Sequence, residues 1–455
     1  MDSLTFSPVH ELSALMLAGR VTSRVLTDAY LARIEAHGER LHAFVATYAD
    51  EARRAADAAD QAIAAGYRRG PFHGIPVVLK DNIEMAGRVT TGGSKHWEHR
   101  VSRTTAHLVD RLIAAGLIIL GKTHSVEFAM GSFGTNQYMG TPRNPWDSRE
   151  HRAPGGSSSG TGVAVAAALS PWGVGTDTGG SVRIPASWCG VTGLKPTVGR
   201  VSTHGVIALA NTLDTPGPIC RDVEDCAILF DVMQGAGGPR EDVTVGLKRG
   251  IRGLVIAQLP DPEREQVEAE VLAAYDASLA LMKSLGADIV DVTLPLSFDE
   301  IGQRAGRIIG AEGYANVGHL VEDPTLRIDD AVRPRILLGK NMRSVEYIQL
   351  LRDREAHKQA WNRAFTGIDA FALPTTATAA PLLDEIDQAG IASTMTRPAN
   401  YVDWCAVALP NGFTTKGLPT SLQLACPAFD ERMALRTAWA YEQATKWRHE
   451  RPALA

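Results

Sequence analysis

Residues 154–196 constrain the fold of this chain more than any other segment. They carry Ser157 within Gly-Gly-Ser-Ser-Ser-Gly and Ser181 within Asp-Thr-Gly-Gly-Ser, with the apolar, alanine-rich residues 162–169 between them. The apolar run predicts one buried helix followed by a short strand. Paired glycines let backbone N–H groups approach a substrate atom with no side chain in the way. The segment therefore predicts a serine-based catalytic centre, and flexible Gly/Ser turns are the simpler alternative.

A lysine follows an apolar run of the β type. Residues 75–79 form that run and Lys80 ends it, so the ammonium group would lie against the core. Burial disfavours the charged form of lysine, which lowers its pKa and lets the amine act as a base. A surface ion pair between Lys80 and Asp81 is the alternative, because lysine is rarely buried without a partner.

Two short patterns match known motifs without the context that those motifs need. Residues 116–123 fit the P-loop pattern GxxxxGK[ST], but Leu-Ile-Ile-Leu stands where a flexible phosphate-binding loop is required. Residues 156–160 fit the GxSxG nucleophile elbow with Ser158 at its centre, but a Pro/Gly loop replaces the preceding strand. We therefore expect neither nucleotide binding nor the hydrolase triad that uses such an elbow.

Helical and strand-like patterns alternate along the chain, which predicts an α/β fold with a largely buried sheet. No internal repeat or Pro/Ser-rich linker separates domains, so one large domain is the simpler expectation. The predicted helices are 22–37, 50–65, 104–115, 223–234, 263–285 and 430–444, and the predicted strands are 75–79, 117–120, 253–257, 287–292, 370–373 and 421–426.

Charge and cysteine content narrow the functional classes. Lysine and arginine total 46 against 51 acidic residues, which gives no electrostatic sign of a nucleic acid or an anionic membrane. The longest apolar runs are shorter than the roughly 18 residues of a membrane helix, and Asp2 stands where an export signal would be basic. Five scattered cysteines without CxxC pairs indicate reduced core residues. We expect a cytoplasmic protein.

Five ordered blocks resemble the amidase signature family: GIPVVLKDNI, AGLIILGKTHSVEFAMGS, PGGSSSGTGVAVAAAL, GTDTGGSVRIPASWCGVTGLKPTVGRVS and DTPGPICRDVEDCAILFDVM. The similarity covers most of residues 26–233 and returns more weakly towards the C-terminus. It implies one α/β/α domain over residues 1–455, with a central mixed β-sheet flanked by helices. The signature core would span about 70–235, and a variable substrate-pocket region about 300–400.

The resemblance also implies the catalytic groups. Ser181 matches the acyl nucleophile, Ser157 the bridging serine that follows a cis peptide bond, and Lys80 the base. Backbone N–H groups stabilise the oxyanion in such proteins, and the residues that match are Thr178, Gly179 and Gly180. No metal or organic cofactor is implied.

Less direct roles follow from the same resemblance. Ser158 and Asp177 would orient the relay, and Arg183 would either pair nearby or serve the structure alone. Positions that border the acyl pocket in the family match Met130, Gly131 and Ser132.

Four positions depart from the family pattern. Ser159 replaces a glycine, and Asp403 and Cys405 stand where glycine and proline are usual. The branch that acts on malonamic acid has an arginine three residues after the nucleophile, and Ile184 occupies that place here. The sequence therefore gives no reason to expect specificity for a carboxylate.

Within the family, we expect first a stand-alone amidohydrolase that cleaves C–N bonds of small aryl or alkyl amides or carbamates, such as an aryl acylamidase or a urethanase. Its partner would be a small amide or carbamate substrate, with no nucleic acid and no membrane, and a homodimer is allowed. The alternative is the A component of a glutamine-dependent tRNA amidotransferase. A catalytically silent binding protein is disfavoured, because all three catalytic residues are present.

Overall fold

One mixed sheet of eleven strands organises the computed structural model, which describes residues 2–235 and 241–454. Its strands are β1 (Phe44–Thr47), β2 (Pro76–Lys80), β3 (Ile118–Thr123), β4 (Trp172–Asp177), β5 (Thr192–Lys195), β6 (Thr215–Cys220), β7 (Val255–Ala257), β8 (Asp288–Val290), β9 (Ala370–Pro374), β10 (Cys405–Phe413) and β11 (Pro419–Cys426). They lie in the order β1-β3-β2-β4-β6-β5-β10-β11-β9-β7-β8. Strand β2 is parallel to β3 and β4, and β7 is parallel to β8 and β9, whereas the other neighbours are antiparallel.

Helices flank this sheet, as predicted. The first eight are α1 (Asp2–Thr5), α2 (Val9–Leu17), α3 (Ser23–Leu41), α4 (Ala49–Ala64), α5 (His107–Ala114), α6 (Ser159–Ala166), α7 (Arg183–Cys189) and α8 (Val223–Met233). The others are α9 (Asp261–Arg264), α10 (Ala269–Ser284), α11 (Phe298–Val321), α12 (Arg333–Leu337), α13 (Ser344–Ala364), α14 (Arg397–Tyr401) and α15 (Glu431–Gln443). Helices α6 and α7 pack on the central strands and on each other, and α8 and α15 form a second such pair.

The central strands are buried along their whole length. Every residue of β2, β4, β5 and β6 is buried, because helices cover the sheet and exclude water from it. The apolar core is continuous from Val9 of α2 to Tyr441 of α15. The single domain over residues 1–455 stays a prediction.

The predicted helix 263–285 is wrong in one respect, because the chain breaks between α9 and α10. The break frees polar groups for distant partners. Glu263 accepts a hydrogen bond from the Phe298 N–H (2.9 Å), and the Glu268 N–H donates to the Ala377 carbonyl (2.9 Å). Long-range bonds of this kind leave no trace in helical periodicity.

All five cysteines are buried and carry free thiols. Burial raises the pKa of the Cys226 and Cys426 thiols above the usual range. Within residues 2–235 and 241–454, no helix combines the length and the apolar character needed to span a membrane.

Candidate active site

Lys80 is the last residue of β2, and its side chain is fully buried. Its Nζ donates to Ser157 Oγ (2.7 Å) and to Thr176 Oγ1 (2.8 Å). Burial lowers the pKa of Lys80 to about 7, against the opposing effect of the Asp214 and Asp177 charges. The alternative of a surface ion pair with Asp81 is wrong, because the lysine lies inside the protein and bonds to two hydroxyls.

Ser157 lies in the loop that leads into α6, and the Gly156–Ser157 peptide bond is cis. The next residue, Ser158, ties this loop to the strand that precedes Ser181. Its N–H donates to the Ser181 carbonyl (3.2 Å), and its Oγ donates to the Thr176 carbonyl (3.3 Å). Ser158 therefore joins the two segments that carry Ser157 and Ser181, and its own hydroxyl is occupied by the backbone of β4.

Ser181 follows the carboxyl end of β4 and lines a cleft at the protein surface. Its exposed fraction is 8%, whereas Lys80 and Ser157 are fully enclosed. Of the three predicted relay residues, only Ser181 is therefore accessible to a substrate. The turn before it requires glycine, because Gly180 has φ +133° and a Cβ there would lie 2.1 Å from Thr396 Oγ1.

Asp177 organises the backbone around Ser181. Its carboxylate accepts hydrogen bonds from the N–H groups of Gly180 (2.7 Å) and Val182 (3.1 Å) and from the Arg183 guanidinium (3.0 Å). Burial would raise the pKa of Asp177, but the charge of Arg183 holds it well below its usual range. These contacts fit the supporting roles that the resemblance implied for both residues.

Arg183 is fully buried and also joins this turn to the C-terminal part of the chain. It donates to the Thr396 carbonyl (2.8 Å), to Gln423 Oε1 (2.6 Å) and to Asn400 Oδ1 (2.6 Å). It does not line the cleft. A positioning role for Arg183 stays a prediction.

One of the three residues expected to form the oxyanion hole, Gly180, does not have a free N–H group. The Gly180 N–H donates to Asp177 Oδ1, so it is already bound within the protein. Thr178 and Gly179 line the cleft beside Ser181, and their role stays a prediction.

Asp214 is a site residue that sequence reasoning missed. It accepts hydrogen bonds from Thr178 Oγ1 (2.5 Å) and from the N–H groups of Leu209 (2.8 Å) and Ala210 (3.1 Å). Burial raises its pKa to about 6. The available signal was an acidic residue immediately before the buried strand β6.

The cleft holds about 450 Å³ of empty space, including its open mouth. The predicted pocket residues Met130, Gly131 and Ser132 line it, and their contact with a substrate stays a prediction. The other apolar lining residues are Ala129, Ile184, Leu209, Ile309 and Ile391, and the charged ones are Arg335 and Arg397. Both arginines went unpredicted, because α12 and α14 are too short to show a periodic pattern.

The departures at Asp403 and Cys405 have structural consequences away from the cleft. Asp403 has φ +60°, which explains why glycine suits this position. Its carboxylate pairs with Lys358 (2.8 Å) and Arg354 of α13. Cys405 begins β10 and packs beside the Cys426 carbonyl (3.6 Å).

Among residues 2–235 and 241–454, one group could hold a metal ion, namely His10, Asp222 and Asp225. His10 Nδ1 lies 3.5 Å from Asp225 Oδ1, and Asp225 already accepts hydrogen bonds from the Val9 N–H. None of the three lines the cleft.

The profile of the Amidase family matches residues 25–435, so the chain belongs to the amidase family. It is an amidase-family enzyme that acts on C–N bonds. The A component of the glutamyl-tRNA(Gln) amidotransferase of Trichlorobacter lovleyi is 36% identical and aligns over 98% of this chain and 99% of its own length. The protein of the same name from Halorhodospira halophila is 37% identical over 98% of each chain.

Solved structures agree with the family and the fold. A structure from work on a vestigial protein complex and the origins of an s-triazine catabolic enzyme has a TM-score of 0.90. It is 30% identical and covers 98% of this chain and 100% of its own. The peptide amidase of Stenotrophomonas maltophilia has a TM-score of 0.86 at 30% identity, with 98% of each chain covered.

The relatives overturn two expectations from the sequence. The stand-alone hydrolase of small amides or carbamates is wrong, since the similar proteins are named as one component of an amidotransferase for glutamyl-tRNA. The expectation of a small-molecule partner without nucleic acid is wrong on the same finding. The error has a physical reason: the predicted relay would attack an amide carbonyl in the same way whether the ammonia is lost or passed on.

Proposed function

We propose that this chain is the A component of an amidotransferase for glutamyl-tRNA(Gln), in which it releases ammonia from glutamine. The observation that carries the proposal is the end-to-end similarity to relatives of that name, over 98% of this chain and 99% of a relative's length. The cleft and the relay supply the chemistry that such a component needs.

The first step is acylation of Ser181. Neutral Lys80 accepts the Ser157 proton while Ser157 accepts the proton of Ser181, because a hydroxyl donates and accepts at once. The Ser181 oxygen bonds to the side-chain carbonyl carbon of glutamine, and the carbonyl oxygen becomes an oxyanion. The N–H groups of Thr178 and Gly179 stabilise that charge.

The second step releases ammonia. The proton returns from Lys80 through Ser157 to the amide nitrogen, the C–N bond breaks, and ammonia leaves. A γ-glutamyl ester remains on Ser181. Water then attacks this ester with the same relay as its base, and glutamate and free Ser181 result. Return of the proton to nitrogen makes an amide cleavable, because an unprotonated amide anion is a very poor leaving group.

The test measures both the release of ammonia from glutamine and its transfer to tRNA. The tagged full chain, purified with its bound partners, receives glutamine, glutamyl-tRNA(Gln) and ATP with Mg²⁺, because the glutamyl carboxylate must be activated before ammonia can replace its oxygen. Glutaminyl-tRNA and ammonia are both measured. We expect glutamine-dependent amidation that is lost in Ser181→Ala.

Ser159→Ala is the matched control, because this neighbouring hydroxyl makes one long hydrogen bond, to the His124 carbonyl (3.4 Å). It should keep both activities. Amide transfer that survives in Ser181→Ala, or ammonia release without any transfer to tRNA, would refute the proposal.

A further inference from the structure

The register of two strands determines where Asp214 lies. Strands β4 and β6 are antiparallel, and Asp177 at the end of β4 is opposite Thr215 at the start of β6. One residue further along, the same register sets Asp214 beside Thr178. Their side chains are in contact, since Thr178 Oγ1 donates to Asp214 Oδ1 (2.5 Å). Asp214 is therefore held at the carboxyl end of β4, where the nucleophile turn begins.

The Asp214 carboxylate also holds a second segment of the cleft. Its Oδ2 accepts hydrogen bonds from the N–H groups of Leu209 (2.8 Å) and Ala210 (3.1 Å). Thr178 and Leu209 both line the cleft, whereas Asp214 itself does not. One buried side chain thus ties the start of the nucleophile turn to the loop that carries Leu209.

The charge of Asp214 reaches the predicted base. Within the described residues, the carboxylates whose charge acts on Lys80 are Asp214 and then Asp177, and both favour the protonated amine. Asp177 is already compensated by its ion pair with Arg183 (3.0 Å). The hydrogen-bond partners of Asp214 are a hydroxyl and two backbone N–H groups, which carry no net charge. Asp214 is therefore the less compensated of the two.

A buried amine needs such a charge to serve as a base. Burial alone favours the neutral form, and an amine that releases its proton too readily is a weak base. A carboxylate in direct contact would have the opposite fault, because it would hold the amine as an ammonium ion. Asp214 makes no bond to Lys80, whose donors go to Ser157 and Thr176. Its charge therefore counteracts burial without forming an ion pair.

We propose that Asp214 is a positioning residue of the reaction. Its carboxylate fixes Thr178 to the loop that carries Leu209, and its charge keeps the Lys80 amine basic enough to accept a proton. Asp214 acts through these residues and touches no reacting atom. The inference rests on the relay of the proposed function, whichever amide the cleft accepts.

Glu312 of α11 provides a matched control. It is a second buried carboxylate that holds the same loop, because it accepts hydrogen bonds from the Thr212 N–H (2.9 Å) and Oγ1 (2.5 Å). Among the described residues, its charge is not one of those that act on Lys80. Loss of the Glu312 carboxylate should therefore loosen the loop and leave the charge near the amine unchanged.

The first experiment measures kcat/KM for ammonia release from glutamine between about pH 5 and pH 9, with the chain in its purified complex. Without the Asp214 charge the protonated amine loses a favourable interaction, so the pKa of Lys80 falls. In Asp214→Asn the acid limb should move to lower pH by about half a unit or more, and the plateau should fall about tenfold because the amine is a weaker base. In Glu312→Gln the limb should stay in place. An unmoved limb in Asp214→Asn, or an equal shift in Glu312→Gln, would overturn the inference.

The second experiment tests the hydrogen bond to Thr178. Thr178→Val keeps the shape of the side chain and removes the donor, so kcat should fall about tenfold, and Thr178→Ser should recover most of it. A valine variant as active as the serine variant would contradict the positioning role. This pair retains Asp214, so it stays informative if Asp214→Asn does not fold.

Asp214→Glu separates the charge from the geometry. It keeps the carboxylate on a longer side chain, so kcat should fall because Thr178 is misplaced. The acid limb should stay within about 0.3 pH unit of the native one, because the charge near Lys80 remains. A limb displaced to lower pH in this variant would contradict the charge effect.

Acylation by an alkyl fluorophosphonate separates the inference from the proposed function. The Ser181 oxygen bonds to phosphorus, fluoride leaves, and the serine proton passes through Ser157 to Lys80, so the rate depends on the same base without glutamine or tRNA. The mass of the intact chain follows the reaction. The pH dependence of the rate should shift in Asp214→Asn as it does for kcat/KM, and identical profiles for this variant and the native chain would refute the inference. If the shift appears but glutamine is not hydrolysed, the proposed function is wrong and the role of Asp214 remains.

Discussion

Lys80 has the properties of a base because of where β2 places it. The amine is fully buried, both of its hydrogen bonds go to hydroxyl groups, and the nearby carboxylates of Asp177 and Asp214 have other partners. A buried amine without a direct ion pair loses its proton more easily, because the charged form lacks solvation. The proposed relay therefore needs no histidine.

The pH dependence of the reaction should follow from this lysine. Burial lowers the pKa of Lys80 to about 7. Below that pH the amine is protonated and cannot accept a proton, so kcat/KM should fall about tenfold per pH unit on the acid side and level off above it. The measurement is kcat/KM for an amide between about pH 5 and pH 9. Lys80→Arg should be inactive throughout, and a flat profile for the native chain would contradict the assignment.

The serine run offers a matched comparison. Ser157 Oγ accepts the Lys80 hydrogen bond, whereas Ser159 Oγ makes one long bond to the His124 carbonyl. Ser157→Ala should lower kcat by a factor of about 10³, and Ser159→Ala should stay within about twofold of the native rate. Steady-state rates of ammonia release check this. An equal decrease in kcat in the two variants would mean that the three consecutive serines contribute through packing and that Ser157 does not relay a proton.

At the scale of elements, the backbone of α6 packs directly against the backbone of neighbouring segments. A Cβ on Gly160 would lie 2.2 Å from the Ala43 carbonyl oxygen and 2.5 Å from the His124 nitrogen. The helix that follows Ser157 and Ser158 can approach the chain next to β1 and β3 only because this residue has no side chain. Its glycines therefore help to place the relay.

Gly160→Ala should destabilise the protein by about 2 kcal/mol or more, because neither neighbouring backbone can move without disturbing the sheet. Gly38→Ala in α3 is the control, since its Cβ would meet Ile34 Cγ2 at 3.4 Å. That change should be neutral or stabilise by up to about 1 kcal/mol through helix propensity. Urea unfolding measures both. Similar stabilities for the two variants would show that α6 has room to shift.

Sequence reasoning worked best where a local pattern was strong. The apolar runs predicted β2, β3 and the helix before β4. The glycine-rich motifs pointed to Ser157 and Ser181, whose catalytic roles stay predictions. Strand β6 was not predicted, because Pro216 and Pro218 are rare in buried strands and its place depends on pairing with β4 and β5. Arg335 and Arg397 reach the cleft through long-range packing, which single-sequence periodicity does not record. The substrate prediction was wrong for a different reason. The same catalytic residues can serve many amides, so they carry no information about the rest of the substrate molecule.

At the scale of the whole molecule, one apolar core joins the signature segment to the C-terminal strands. Strand β5 pairs with both β6 and β10, so the sheet crosses directly from one part to the other. Arg183 adds a buried polar link from α7 to Gln423 of β11. These contacts favour the prediction of a single domain over residues 1–455.

Unfolding should therefore be cooperative across the chain. Trp172 lies in β4 and Trp404 immediately before β10, and both are buried. We would unfold the Trp172→Phe and Trp404→Phe variants in urea and follow the fluorescence of the tryptophans that remain in each. We expect the two urea midpoints to differ only because each substitution lowers the stability of the whole protein by a different amount. The fluorescence midpoint should equal that from far-UV circular dichroism within each variant. Different midpoints from fluorescence and from circular dichroism within one variant would indicate two domains.

The parallel pairing of β2 with β4 limits how this enzyme can diverge. Leu79 is opposite Val174, and this register sets the Lys80 amine beside Thr176 and Ser157. Because successive side chains of a strand point to opposite faces, deleting one residue from β2 would turn the amine to the other side of the sheet. A change of length within β2 would therefore separate the amine from Thr176 and Ser157. Engineering of new substrate ranges should begin with the loops around α12 and α14 and leave strand lengths untouched.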